Sequence, residues 1–447
     1  MTTGRLAAVV MAGGLGTRMR SSVPKHLHPL LGRRVIDWVV DAARGAGAER
    51  VVVVASPDSA DSYLDMEVAI QEQPLGTGDA VAAARGVLED FDGSLLVLDA
   101  AAPLLTAEHL RDLAAEHERH GSAVTILSFE PSATLPYGRV VRGADGAVEA
   151  IVEDADASPE QRAIREVNAS TYVFASAPLW EALDGLDAHN AQGELYLTDT
   201  VGHLVAAGHR AAAWKCPDEL APLGINTRAE LAIAAAELRR RINEAHMLAG
   251  ATIVDPSSTW IEAGVELEPD AVVHPFTVLR GATTVARGAE VGPHVVAVDA
   301  QIGAGALVGP FCYLRPGTVL ESGAKAGTFV EMKNSRIGAR SKVPHLSYLG
   351  DAEIGEDTNI AAGNVTANYS HVRGRAKGKT TIGRNVRTGV DNTFVAPVTV
   401  GDDAWLWAGT VVTDDVPPGS LAGFPPRQVT KEGWVYERGE REPDGDD

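Results

Sequence analysis

Only two cysteines, Cys216 and Cys312, occur in 447 residues. That excludes a disulfide framework and fits a reducing, cytoplasmic setting. Positive charge is also scarce. Lys and Arg total 39 against 60 Asp and Glu, a formal net charge of −21. This argues against a broad nucleic-acid surface, so any phosphate chemistry must gather its cations locally. Long apolar runs are missing too. Leu6–Met11 is far too short to cross a bilayer and leads straight into a glycine-rich loop, so neither a membrane span nor a signal peptide is expected. Core material is ample: 45% of residues are hydrophobic, in a length that suggests two or three domains.

Residues 6–223 alternate strand-like and helix-like runs. Leu6–Met11 and Arg50–Ala55 suit buried parallel strands, and Val35–Ala46 has apolar residues at helical spacing. This βαβ rhythm predicts a doubly wound, Rossmann-like α/β domain over 1–226, with ligands at the carboxyl ends of its strands. Arg228–Leu248 is rich in helix formers and is expected as a connecting helix over 227–249. From 250 to 436 glycine becomes frequent and the period changes. Ile302-Gly303 and Val308-Gly309 lie six apart, Ile337-Gly338 and Ile354-Gly355 seventeen, Ile382-Gly383 and Val400-Gly401 eighteen. Six residues make one side of a three-sided coil and eighteen a full turn, the period of a parallel β-helix of hexapeptide repeats. The charged end, 437–447, is expected to be a disordered acidic tail.

Two groups of motifs carry chemistry. After the first strand comes Met11-Ala12-Gly13-Gly14-Leu15-Gly16-Thr17-Arg18, then Pro24-Lys25, then Gln71–Gly78 (QEQPLGTG). A glycine-rich turn offers N–H groups to phosphates, and Arg18 and Lys25 neutralise them. Together these motifs resemble the sugar-1-phosphate nucleotidyltransferases. The resemblance implies nucleotide binding by Gly13, Gly14, Arg18, Lys25, Gln71, Gly76 and Thr77. It also implies N-acetylhexosamine contacts from Gly138, Glu153 and Asn168, and a metal ligand at Asn226.

The second group begins with Tyr313-Leu314-Arg315-Pro316-Gly317 and Phe329-Val330-Glu331-Met332-Lys333. Lys342–Asp351 (KVPHLSYLGD), Asn359, Ala362-Gly363, Asn368-Tyr369, Lys377 and Ala396-Pro397-Val398 follow. In this order they resemble the carboxyl half of the bacterial bifunctional glucosamine-1-phosphate N-acetyltransferase / N-acetylglucosamine-1-phosphate uridyltransferase family, over roughly residues 6–434. The resemblance implies a left-handed β-helix and a homotrimer with sites between subunits. His345 would be the base that frees the attacking amine and Asn368 the oxyanion donor. Arg315, Lys333, Tyr348, Asn359 and Lys377 would hold the acceptor, and Ala362, Ala408 and Arg427 the acetyl-CoA.

Several positions depart from the family pattern. The metal-binding Asp is Ala101, and the Tyr two places before it is Asp99. His26 stands where a small apolar residue is expected, and Ser170 where a Gly is. Read as strand residues, 99 and 101 share a face but lie two rises apart, ~6.6 Å, too far for Asp99 to substitute. A methyl cannot ligate Mg²⁺, so Mg²⁺-dependent nucleotidyl transfer is expected to be lost or very slow. In the second half, Asn-Tyr-Asp-Gly becomes Asn368-Tyr369-Ser370-His371, the loop to Lys377 is about three residues longer, Val390 replaces a Ser, and Trp405-Leu406-Trp407 replaces small residues. The two tryptophans either pack at a subunit seam or reshape the acyl-donor channel. The main expectation is an acetyl-CoA-dependent N-acetyltransferase acting on a small amine, with a vestigial uridine-nucleotide domain. A fully bifunctional enzyme in which another carboxylate rescues the metal site, and a silent nucleotide-binding scaffold, are the alternatives.

Overall fold

Alternating burial along the first strand explains why the N-terminal part has two cores. In the computed structural model, which describes residues 4–14, 16–369, 376–424 and 428–438, Ala7 and Val9 of strand Leu6–Ala12 enter one apolar cluster while Ala8 and Val10 enter another. Both faces of the sheet are covered, as a near-continuous apolar strand requires. Helix Val35–Gly45 packs Ile36, Val39 and Val40 on one of them.

The main strand order runs Ala211–Lys215, Val124–Phe129, Val167–Ala175, Ser94–Asp99, Leu6–Ala12, Arg50–Ala55, Glu67–Ile70. Pairing is parallel except for Val167–Ala175, which runs antiparallel to both neighbours. The doubly wound, Rossmann-like domain is thus a mixed sheet. Its parallel strands deliver their ends to one edge: Met11 lies opposite Asp99 and Ala12 opposite Ala55. Gly13, Gln71 and the turn after Asp99 therefore emerge together.

The chain divides into two compact units between Arg241 and Ile242, inside the helix Arg228–Leu248. The start of that helix is closed by a capping box. Thr227 Oγ1 accepts the Glu230 N–H at 3.2 Å, and Glu230 Oε2 accepts the Thr227 N–H at 2.7 Å.

The second unit is a three-sided parallel β-helix. Its strands of two to four residues stack into three parallel sheets. Each coil adds one aliphatic side chain to three internal columns. One runs Leu267, Val285, Ile302, Leu320, Ile337, Ile354, Ile382, Val400, all buried. Burying such side chains contributes ~1.5–3 kcal/mol each. The glycine after the aliphatic residue has a steric cause. A Cβ on Gly338 would come within 2.6 Å of Glu356 N, and one on Gly355 within 2.5 Å of Arg384 N. The regular period also breaks once: Glu353 pairs with Thr381 and Val365 with Thr393, 28 positions on. The longer excursion lies between Ala367 and Lys379.

Among the described residues no helix is long and apolar enough to cross a membrane. The expected tail lies largely outside the described residues, which close with the turn of helix Trp434–Glu437.

Truncating the internal column should be costly. Ile337→Ala is expected to destabilise the β-helix by ~2–5 kcal/mol, seen as a lower urea midpoint with an unchanged slope.

Candidate active sites

A cleft of about 460 Å³ opens at the carboxyl edge of the first unit's sheet. Gly13, Gly14, Lys25, Gln71, Gly76 and Thr77 all line it. The expected nucleotide residues, from four separate chain segments, are thus brought together. Gln71 is held in place: its Nε2 donates to Gly76 O at 3.1 Å and Asp79 Oδ2 at 2.8 Å. Thr77 Oγ1 accepts the Leu197 N–H at 3.0 Å, tying the base-reading segment to a distant loop. Arg18 joins through Asn226, donating to Oδ1 at 3.0 Å, and Lys25 Nζ reaches the same oxygen at 3.4 Å.

The three expected sugar residues also meet. The Asn168 N–H donates to Gly138 O at 2.8 Å, and Asn168 Nδ2 donates to the Tyr172 hydroxyl at 2.7 Å. A side chain on Gly138 would crowd Ile151 and the Glu153 carboxylate. Glu153 accepts from Thr198 Oγ1 at 3.0 Å. Burial raises its pKa despite that bond.

The turn at Ala101 corrects the expectation about Asp99. The strand ends at Asp99, so 99 and 101 do not alternate along one strand. Residues 100 and 101 form a turn, and Ala101 is completely buried. The Ala101 N–H donates to Asp99 Oδ1 at 3.0 Å. Asp99 lines the cleft, with Oδ2 at 3.6 Å from Lys25 Nζ. Strand alternation sets this carboxylate aside as too distant, whereas the structure places it at the end of a central strand, in the cleft.

His26 also lines the cleft, almost wholly buried. Neither ring nitrogen has a hydrogen-bond partner among the described residues. Its ring lies 5.9 Å from that of Tyr63. Burial, helped by the Lys25 ammonium, pushes its pKa down to about 4 against an opposing pull from Asp99.

In the second unit, strand register assembles a cationic corner. Met332 pairs with Leu314 and Lys333 with Gly350, which stacks Arg315, Lys333 and Gly350 on successive coils. Gly350 is required here: a Cβ would lie 2.8 Å from Asn368 Nδ2 and would also collide with the Tyr348 hydroxyl. Lys377 returns from the long excursion to Lys333, and its ammonium lowers the Lys333 pKa. Asp351 accepts from Asn334 Nδ2 at 2.7 Å and from Asn368 Nδ2. Burial opposes ionisation of Asp351, but these bonds and the two lysines hold its carboxyl below the usual range. Arg315 is paired with Glu331 at 2.9 Å.

Other expected residues stand apart from this corner. His345 ends strand Lys342–His345 on the adjoining side of the coil, exposed. Asn359 belongs to that side as well, in the column Lys342–Asn359–Arg387–Trp405. The structure therefore does not join Asn359 to Arg315, Lys333 and Tyr348. Ala362 and Ala408 lie on later coils, Ala362 half-buried and Ala408 exposed. Trp405 is 61% exposed and Trp407 half-buried. Ser370, His371 and Arg427 lie outside the described residues.

A family model described as "MobA-like NTP transferase domain" matches residues 8–246. The chain is 46% identical over 459 residues to the "Bifunctional protein GlmU" of Corynebacterium aurimucosum, covering 97% of this chain and 94% of that protein. It is 46% identical over 454 residues to the protein of that name from Streptomyces coelicolor, covering 96% and 94%. Against that of Mycobacterium tuberculosis it is 44% identical over 463 residues, covering 97% and 93%. These matches favour the two-activity alternative over a vestigial first unit.

The His26 shift has a pH signature. The imidazole is neutral in the fold at pH values where the unfolded chain already binds a proton. Its contribution is complete above about 6.5 and is lost as pH falls towards about 4, at most ~3 kcal/mol. His26→Val should flatten the acid side of the first unit's stability, measured as urea midpoints between pH 7 and 4.5.

Proposed function

This chain belongs to the GlmU family of bifunctional proteins, and from that premise we propose two transfer reactions, one in each unit. The first unit joins the uridylyl group of UTP to the phosphate of N-acetylglucosamine-1-phosphate, breaking the α–β phosphoanhydride bond and releasing pyrophosphate. The second moves the acetyl group of acetyl-CoA to the amine of glucosamine-1-phosphate. The observation that carries the reading is the cleft lined by six of the seven expected nucleotide positions, with the seventh, Arg18, bonded to Asn226 beside Lys25. A vestigial domain has no need to keep Gln71, Gly76 and Thr77 so constrained.

In the first unit, Gln71, Gly76 and Thr77 would read the pyrimidine, while Gly13, Gly14, Arg18 and Lys25 would hold the phosphates. Gly138, Glu153 and Asn168 would fit the N-acetylhexosamine. A Mg²⁺ ion would neutralise charge on the triphosphate as the phosphoryl bond changes partners. Asn226 offers it a carbonyl oxygen, and the cleft holds a carboxylate in Asp99.

In the second unit, Arg315, Lys333 and Lys377 would hold the acceptor phosphate. Mutual repulsion between the two ammoniums, visible in the lowered Lys333 pKa, is relieved by a bound dianion. His345 would take the proton of the attacking amine. Asn368, oriented by Asp351, would donate to the tetrahedral oxyanion. Ala362 and Ala408 would face the thioester arm, with Arg427 on the CoA phosphates. His345 and the Arg315 corner occupy different sides of the β-helix, which favours a homotrimer whose sites are completed by a neighbouring copy. In support, an exposed ladder of rings, Phe276, His294, Phe311 and Phe329, stacks at 4.8–5.3 Å. It continues to exposed Leu346, next to His345 in the chain.

The two reactions separate in one experiment. His345→Ala should lower CoA release from acetyl-CoA and glucosamine-1-phosphate by about 10²–10⁴-fold. UDP-N-acetylglucosamine formation from UTP and N-acetylglucosamine-1-phosphate should stay at the wild-type rate. Unchanged CoA release in the variant would reject the acetyl-transfer assignment. Absence of UDP-sugar formation by the wild type would reject the uridylyl-transfer one.

A further inference from the structure

We infer that Asp99 supplies the carboxylate for the nucleotide-bound divalent cation in the first unit, paired with Asn226, so that the donor has moved two positions along the chain from Ala101. The inference rests on the uridylyl-transfer reading of this cleft.

Three observations converge on it. The first is orientation. Asp99 closes its strand, and Oδ1 is held by the Ala101 N–H at 3.0 Å. That bond fixes the carboxylate plane and leaves Oδ2 towards the cleft, where Lys25 Nζ sits 3.6 Å away. The second is the partner. Ile225 N–H donates to Ala101 O at 2.8 Å, which ties the segment carrying Asn226 to the same turn. Asp99 Oδ2 lies 3.5 Å from the position a Cβ on Gly224 would take, so carboxylate and segment are in contact distance. Asn226 is braced from the other side, its N–H donating to Glu230 Oε2 at 2.8 Å. The third is charge. Asn226 Oδ1 and Asp99 Oδ2 both face one ammonium, at 3.4 and 3.6 Å. A cation therefore already stands between the two oxygens.

The donor set suits the ion. Mg²⁺ binds hard oxygens, usually one or two protein groups with the remaining positions filled by water and substrate phosphate. One carboxylate and one amide carbonyl meet that pattern. Lys25 is a point charge on a flexible stem. A triphosphate entering the cleft competes for the Lys25 ammonium and the Arg18 guanidinium, and the two oxygens then lose their counter-charges. Ala101 cannot take part: its methyl is fully buried, its N–H donates to Asp99 Oδ1 and its carbonyl accepts the Ile225 N–H.

The test is a binding coupling that needs no turnover. UTP affinity is measured by titration calorimetry without sugar phosphate, once in EDTA and once in Mn²⁺, a hard cation that prefers the same ligands. In the wild type Mn²⁺ should tighten UTP binding by roughly tenfold or more. Asp99→Asn should abolish most of that gain, read as the ratio of the variant's own UTP affinities in Mn²⁺ and in EDTA. Asparagine keeps an Oδ1 acceptor for the Ala101 N–H, so the turn is preserved. Asn226→Ala provides a second variant, since among the described residues its side chain bonds only Arg18 and Lys25, and should lose part of the same gain. An Asp99→Asn protein with the full Mn²⁺ gain, or a wild type with none, overturns the inference. UDP-sugar formation, scored separately, tells the two failures apart. A coupling through Asp99 without product sinks the activity and leaves the cation site standing. Product with an undiminished Asp99→Asn coupling does the reverse.

Discussion

A parallel strand pair can form its ladder only when both strands run towards the same edge, so whatever follows each strand is delivered to a common place. In the first unit this brings Gly13, Gln71 and Asp99 to one rim, although they lie far apart in the chain. In the second it stacks Arg315, Lys333 and Gly350 coil on coil. Both candidate sites are consequences of register. A slip of one residue would turn Lys333 inwards and bring Met332 out.

The second unit shows how the same constraint shapes composition. Stacked coils leave no room for a Cβ beside the next coil's backbone, and Gly338 and Gly355 answer that crowding directly. Where the coil lengthens to 28 residues the period is sacrificed. The extra chain carries Asn368 and Lys377 to the corner occupied by Lys333 and Asp351.

The first unit shows a polar counterpart. Asp99, Asn226, Arg18 and Lys25 form a compact set of opposite charges and dipoles in an otherwise strongly acidic chain. His26 sits beside them without a hydrogen-bond partner among the described residues, and burial pushes its pKa down. Position 101 carries a methyl, and the cleft's carboxylate is that of Asp99. The match to bifunctional relatives runs along nearly the whole chain.

Much of this was legible in the chain itself. Hexapeptide spacing specifies a β-helix because each coil must bury one aliphatic residue per side, and the βαβ rhythm specifies a sheet covered on both faces. The motifs around Gly13 and Gln71, taken from a family resemblance, picked out residues that line one cleft, and those around Arg315 and Lys333 picked out residues stacked on successive coils. The position of Asp99 was not legible, because strand alternation was applied across a residue where the strand had ended. The separation of Asn359 from Arg315 was hidden for a related reason: spacing gives a residue's place within a coil, but the turns between coils decide which side it faces. Local pattern determined which elements form. Backbone pairing over long sequence distances alone decided which side chains meet.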